Sequence, residues 1–386
     1  MGGVMSEAAW LTDDHRAFGA TVRKFLDQEL EPHRVRWTQE RLVPHAFWEK
    51  AGALGILGAS IPVEYGGSGL PRTFDLVTYM EQGRIGDTGW GISVHGIVQH
   101  YLLAFATEEQ KRAWLPKLAS GEWVGAIAMT EPGTGSDLQA VRTTATKDGN
   151  GYRLNGQKTF ISNAANADFV IVVAKTDPAK GAKGISLIAL ETRGAEGFDR
   201  GRKLDKVGMD RQDTMELSFN DVRVPRMGLV GNEEGRGFYQ LMGQLPWERL
   251  AISVGALAAA RCALACTLDY VKNRKAFGQR LMDYQNTRFK LAEAKSEIEI
   301  FAAFVDRMVG ELEAGTLTPE HAAMGKWWGT EMQGRIVDSC LQLHGGYGYM
   351  NEYRIAELYR DARVQRIYGG TNEIMRELIA RSLDRD

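Results

Sequence analysis

Phe169-Val-Ile-Val-Val-Ala174 and Ile185-Ser-Leu-Ile-Ala-Leu190 are apolar runs too short for buried helices and rich in β-branched residues, so they read as strands. Working outward, Tyr152 to Ile161 carries an Asn155-Gly156 pair, a hairpin signal, and Met215 to Val224 has the pattern of a further strand. On the N-terminal side, from about Trp10 to Ser120, apolar residues such as Phe18, Val22, Phe25 and Leu26 recur at helical spacing, broken by the Gly/Pro-rich stretch Ile61 to Pro71. Beyond Gly237 the helical period returns, with Leu250, Val254, Leu257, Leu264, Leu268 and Val271 on one stripe and alanines elsewhere that let neighbouring helices approach closely. The chain therefore reads as α+β, with a helical domain over 1–124, a β domain over 125–236 and a second helical domain over 237–386.

Composition narrows the function. Lys plus Arg total 47 against 49 for Asp plus Glu, a net charge of −2, so no basic field marks the chain for nucleic acid. No unbroken apolar stretch approaches the roughly 20 residues that span a bilayer, which predicts a soluble protein without membrane insertion. Cys262, Cys266 and Cys340 are odd in number and lack Cys-x-x-Cys spacing, which argues for a reducing compartment and against a disulfide framework. No signal or transit segment is evident, so a cytoplasmic location is expected. The Met1 to Ser6 stretch fits a loose myristoylation pattern but has no polybasic cluster beside it, and is set aside. Neither Glu-x-x-His nor His-Glu-x-x-His occurs, so no metal site is expected.

Ala126-Ile-Ala-Met-Thr-Glu-Pro-Gly-Thr-Gly-Ser-Asp137 places small and polar residues where a backbone can approach a flat ligand. It is not a dinucleotide fingerprint, because Leu138 stands where the third glycine belongs. Four other clusters accompany it: Lys158-Thr-Phe-Ile-Ser-Asn163, Arg274-Lys-Ala-Phe-Gly-Gln-Arg-Leu281 with Gln285, Gln342-Leu-His-Gly-Gly-Tyr-Gly348, and Arg366-Ile-Tyr-Gly-Gly-Thr-Asn-Glu-Ile374. In this order, from roughly residue 60 to residue 380, the chain resembles the acyl-CoA dehydrogenase family.

The resemblance implies a middle domain that is β-barrel-like, a C-terminal four-helix bundle, a homotetramer, and FAD held where the three domains meet and across a subunit boundary. It implies α,β-dehydrogenation of a saturated acyl-CoA to the trans-2-enoyl-CoA, with β-hydride transfer to flavin N5 and electrons passed to an electron-transfer flavoprotein. Met129, Thr130 and Ser136 are placed by it at the flavin ring and, for Ser136, near the pantetheine arm. Phe160 and Ser162 close the flavin's other side. Arg274 is placed on the pyrophosphate, Phe277 against the adenine and Gln285 at a hydrogen bond to the cofactor, and these residues, like the Gln342, Gly345 and Gly346 turn, are implied to reach a neighbouring subunit's FAD. Thr371 and Glu373 match positions near FAD, and Gly370 a position near the substrate. Chemistry agrees: backbone N–H and hydroxyl donors suit the flavin edge, and an arginine fork suits a diphosphate.

Many family members carry their base as the glutamate of a Tyr-Glu-Gly-Thr motif. Here that position is Gly369, which accepts no proton, although its backbone N–H remains able to polarise the thioester carbonyl. Glu248, in Leu245-Pro-Trp-Glu-Arg-Leu250, matches the alternative position of the long-chain and isovaleryl-CoA dehydrogenases. Its plain alternative is an acid in a first helical turn opened by Pro246. Arg249 either orients Glu248 and lines the substrate channel or makes a surface ion pair. Ile92 to Tyr101 is expected to line the acyl pocket. A glutamate placed at 369 would supply a carboxylate from the other position, if the pocket admits it. The rival functions are an acyl-CoA oxidase that uses oxygen and a noncatalytic FAD or acyl-CoA binding subunit.

Overall fold

The computed structural model describes residues 8–384; the Met1 to Ser6 pattern lies outside them. Six helices come first: α1 (Asp13–Glu29), α2 (Arg34–Glu40), α3 (His45–Ala53), α4 (Thr73–Arg84), α5 (Ile92–Phe105) and α6 (Glu108–Ala119). Seven strands follow: β1 (Val124–Ala128), β2 (Thr144–Asp148), β3 (Gly151–Ser162), β4 (Ala167–Lys175), β5 (Ile185–Glu191), β6 (Phe198–Lys203) and β7 (Thr214–Pro225). They form one sheet in the order β1-β4-β2-β3-β7-β6, with β5 also on β4, that makes a half-barrel. The helices α7 (Gly237–Asn273), α8 (Gln285–Glu313), α9 (Pro319–His344), α10 (Arg354–Ala362) and α11 (Asn372–Leu383) complete the chain as a helical bundle.

The apolar run at 169–174 is continuous because β4 is buried on both faces. Phe169, Ile171 and Val173 pack with Val98, Leu102, Trp114 and Leu118 of α5 and α6, whereas Val170, Val172 and Ala174 pack inside the sheet with Ala126, Leu154 and Leu217. One strand thus bolts the helices to the half-barrel. Asn155-Gly156 is not a hairpin turn. It lies inside β3, where the register with β7 shifts between Leu154 and Gly156, and the β2–β3 turn falls at Gly149 and Asn150 instead. Gly156 takes φ +147° as part of this bulge, and a Cβ there would come within 2.4 Å of Thr143 Oγ1.

The apolar stripe of α7 enters the same core as Val22, Phe25 and Trp48 of the first domain. Where α4 crosses α7 the backbones approach closely: a Cβ on Gly83 would lie 2.4 Å from that of Ala258. Within α7 one 18-residue window is apolar enough to cross a membrane, although no unbroken apolar run marks it. It is a core helix, packed between α4, α8 and α9. Arg211, in the loop between β6 and β7, pairs with Asp87 at 2.9 Å and with Glu357 of α10, fixing the three regions to one another.

Candidate active site

Pro246 does not open a helix. α7 begins at Gly237 and runs through the proline, which costs one main-chain hydrogen bond while the buried stripe on both sides holds the helix together. Glu248 therefore lies eleven residues in from the helix start, beyond the first-turn dipole, and the capping explanation of this acid falls away. Its side chain is buried, the residue being 7 % exposed, and Tyr101 Oη of α5 donates to its Oε1 at 2.9 Å. Burial pushes the carboxyl up to about 7, opposed by the Tyr101 hydrogen bond and the nearby Arg249 charge. A carboxylate poised near neutrality is suited to accept a proton and release it again.

Arg249 is buried and forms no surface ion pair among the described residues. Its Nε lies 3.4 Å from the Gly369 carbonyl oxygen, so α7 and the turn before α11 face one another through consecutive residues, Glu248 and Arg249. Gly369 and Gly370 take φ of +66° and +89°. Among the described residues nothing accepts from the Gly369 N–H. The space beside Gly369 is filled by Ile252, one helical turn past Glu248: a Cβ at 369 would stand 2.5 Å from Ile252 Cδ1. A side chain at 369 would have to displace the tip of Ile252 on a backbone held at positive φ.

A second group gathers at the end of β1. Lys158, buried, donates from Nζ to the Met129 carbonyl and to Glu131, both at 2.9 Å, while the Thr159 N–H donates to the Thr130 carbonyl at 2.9 Å. These bonds fix the 129–131 turn against β3 and leave the Thr130 hydroxyl and N–H without a partner among the described residues. Beside them the β3–β7 register shifts again and Phe160 takes φ +61°, so its ring is turned outward and 66 % exposed. Ser136 sits on an exposed loop, with open space at Gly133 and Gly135, and Ser162 is half-buried.

Arg274, Phe277, Gln285, Gln342, Gly345 and Gly346 collect at the other end of α7, whereas Thr371 and Glu373 directly follow the Gly369–Gly370 turn that faces Arg249. Arg274 caps α7, its guanidinium 5.5 Å from the Tyr347 ring centre, and Phe277, at φ +50° in the next turn, is 100 % exposed. Gln285 opens α8, and Gln342, Gly345 and Gly346 end α9, exposed and with nothing near a Cβ on either glycine. Tyr270 stacks on His344 and donates to its carbonyl, joining the two helix ends; His344 is a packing residue there. Arg274 and Glu248 stand 26 residues apart on one continuous helix, about 39 Å along its axis. Thr371 accepts from the Ile374 N–H as the cap of α11, and Glu373 is exposed and paired with Arg376.

Two outward aromatics on positive-φ turns, unspent donors at Thr130, and glycines facing open space are features that a flat ring system and a diphosphate would satisfy. The residues present fit FAD. Sequence reading did not single out Tyr101 as the partner of Glu248, the Lys158–Glu131 brace, or Lys326 of α9, which donates to the Gly370 carbonyl at 2.7 Å. Lys326 left one signal, since it falls in register with Ala322, Ala323, Gly329, Thr330 and Gln333 on the buried stripe of α9.

Comparison with known proteins matches the acyl-CoA dehydrogenase N-terminal domain over residues 12–122, the middle domain over 126–222 and the C-terminal domain over 235–383. The chain is 47% identical over 378 residues to the mitochondrial long-chain specific acyl-CoA dehydrogenase of Sus scrofa, spanning 97% of this chain and 87% of that protein. It is 35% identical over 382 residues to the mitochondrial isovaleryl-CoA dehydrogenase of Pongo abelii, spanning 97% and 90%. The crystal structure of an acyl-CoA dehydrogenase from Geobacillus kaustophilus superposes with a TM-score of 0.95 at 47% identity, covering 98% of this chain and 100% of that one.

Proposed function

The chain belongs to the acyl-CoA dehydrogenase family, and from that premise we propose that Glu248 is its catalytic base. The protein is an oxidoreductase of that family, whose function is FAD-dependent dehydrogenation of acyl-CoA thioesters. The observation that carries the assignment of the base is a buried carboxylate poised near 7 on the helix that faces a turn with no side chain at 369.

The α-hydrogen of a thioester is weakly acidic, so its removal needs a base against it and a donor on the carbonyl. Ionised Glu248 accepts the proton while Tyr101 holds its Oε1. The Gly369 N–H, with no acceptor among the described residues, donates to the thioester oxygen, and Arg249, Gly370 and Ser136 border the substrate. FAD, when bound, supplies the two-electron acceptor facing Cβ. Met129, Thr130, Ser136, Phe160 and Ser162 would hold its ring end, with Thr371 and Glu373 meeting it beside the Gly369 turn, and Arg274, Phe277, Gln285, Gln342, Gly345 and Gly346 would hold its tail. Because Arg274 and Glu248 stand about 39 Å apart along α7, the tail-binding set serves a second copy's FAD, consistent with a homotetramer.

We assign domain limits at 124 and 236, where helices give way to β1 and β7 gives way to α7. Three free cysteines suit a reducing compartment such as the cytoplasm. The greater similarity to a long-chain than to an isovaleryl-CoA enzyme favours long straight acyl chains, and an electron-transfer flavoprotein is the acceptor proposed. Anaerobic titration of the yellow holoenzyme with a graded panel of acyl-CoAs tests this: long straight chains should bleach the flavin fastest. Bleaching by none of them would refute the activity, and rapid peroxide formation in air would favour an oxidase.

A further inference from the structure

Lys326 is 0 % exposed, yet among the described residues no carboxylate pairs with it. Its Nζ donates instead to two neutral acceptors, the Gly370 carbonyl at 2.7 Å and Asn372 Oδ1 at 2.9 Å. Asn372 is itself held by Thr330 and Glu331 of α9, so the ammonium is anchored on the rigid helix and reaches out to the turn. That turn contains two successive glycines at positive φ, the most freely mobile pair a backbone offers. Arg249 approaches the preceding carbonyl, of Gly369, from the α7 side. Two buried cations therefore flank the turn, in which the Gly369 N–H has no acceptor among the described residues.

We propose that Lys326 is a positioning residue for the dehydrogenation: it locks the Gly369–Asn372 turn so that the Gly369 N–H is aimed at the thioester oxygen, and its positive charge favours the negative charge that grows there as the α-proton leaves. The proposal rests on the reading of Gly369 as the carbonyl donor opposite Glu248. Burial, with repulsion from Arg249, lowers the lysine to about 8 against the opposing pull of Glu373 and Glu331, so it remains mainly protonated at neutral pH. A donor frame misplaced by a fraction of an ångström loses much of its effect on a developing oxyanion.

The test is vibrational as well as kinetic. Holoenzyme is mixed with dodecenoyl-CoA, an α,β-unsaturated product analogue labelled with heavy carbon at the thioester carbonyl, and the carbonyl stretch is read by infrared difference spectroscopy. Unmodified protein should shift the band to lower frequency than in free ligand. Lys326→Met should return most of that shift and slow anaerobic flavin reduction roughly tenfold to hundredfold. Lys326→Gln, which keeps a donor but not the charge, should fall between. Glu248→Gln should keep the full carbonyl shift while losing the rate, so failure of the base assignment and failure of this one are distinguishable. An unchanged carbonyl band in either folded, FAD-replete Lys326 variant would overturn the proposal. Loss of the fold in both would assign the lysine to stability alone and overturn it equally.

Discussion

The two ends of α7 are built on opposite plans. Around Glu248 the charged side chains are sunk in the core and held within the chain: Tyr101 on the carboxylate, Arg249 and Lys326 on the facing turn. Around Arg274 the side chains stand in solvent, with Phe277 wholly exposed and the glycines at 345 and 346 facing open space. The difference teaches that the proposed base is held by its own fold, whereas the proposed cofactor-tail residues, standing in solvent, would need a complement from a second copy. Desolvation is what moves a carboxyl toward neutrality, and only the first region provides it.

Substitutions at the two ends should therefore fail in different ways. The largest effect is expected from Glu248→Gln: a loss of about 10²–10⁴-fold in flavin reduction with FAD content and assembly unchanged, read by stopped flow and sedimentation. Arg274→Ala should do the reverse, weakening FAD retention about tenfold to hundredfold, as expected for lost charge-assisted hydrogen bonds, while the rate per bound FAD stays close to normal. If both variants lost rate and flavin together, the separation of the two regions would be broken.

Gly369→Glu should not create a second base. Its Cβ would meet Ile252 at 2.5 Å on a backbone with φ +66°, so overpacking of roughly 1–3 kcal/mol is expected, and a melting comparison with Gly369→Glu/Ile252→Ala should show partial relief. Rescue of Glu248→Gln activity by Gly369→Glu alone would show that Ile252 yields more readily than its packing implies. Smallest is Tyr101→Phe. It removes a hydrogen bond that favours the ionised carboxylate, so the acid limb of the rate should move above pH about 7, with little change at high pH. A limb that stays in place would remove Tyr101 from the account.

The strands were legible where burial on both faces left a continuous apolar run, as at 169–174. Local signals misled where one dipeptide or one proline serves two purposes. Asn155-Gly156 makes a bulge as readily as a turn, and Pro246 marks a helix start only if nothing upstream is helical; here residues 237–245 already were. Glu248 was proposed as the base from family motifs and the missing carboxylate at 369, and its burial was not legible in the sequence. Tyr101 was not, because a hydrogen bond across 147 positions leaves no local pattern. Lys326 left a trace as a charge in register with a buried helical stripe, a combination that burial penalises unless the charge has acceptors to meet.

The central claim is that ionised Glu248 takes the α-proton, and the direct measurement is the anaerobic single-turnover rate of flavin reduction by a long-chain acyl-CoA, followed against pH in the unmodified enzyme and in Glu248→Gln. A base whose carboxyl lies near 7 is disabled by protonation, so the unmodified rate should fall as pH drops through about 7. The variant should be slower at every pH and should lack that limb. A variant within about threefold of the unmodified enzyme, with the same limb intact, would contradict the account.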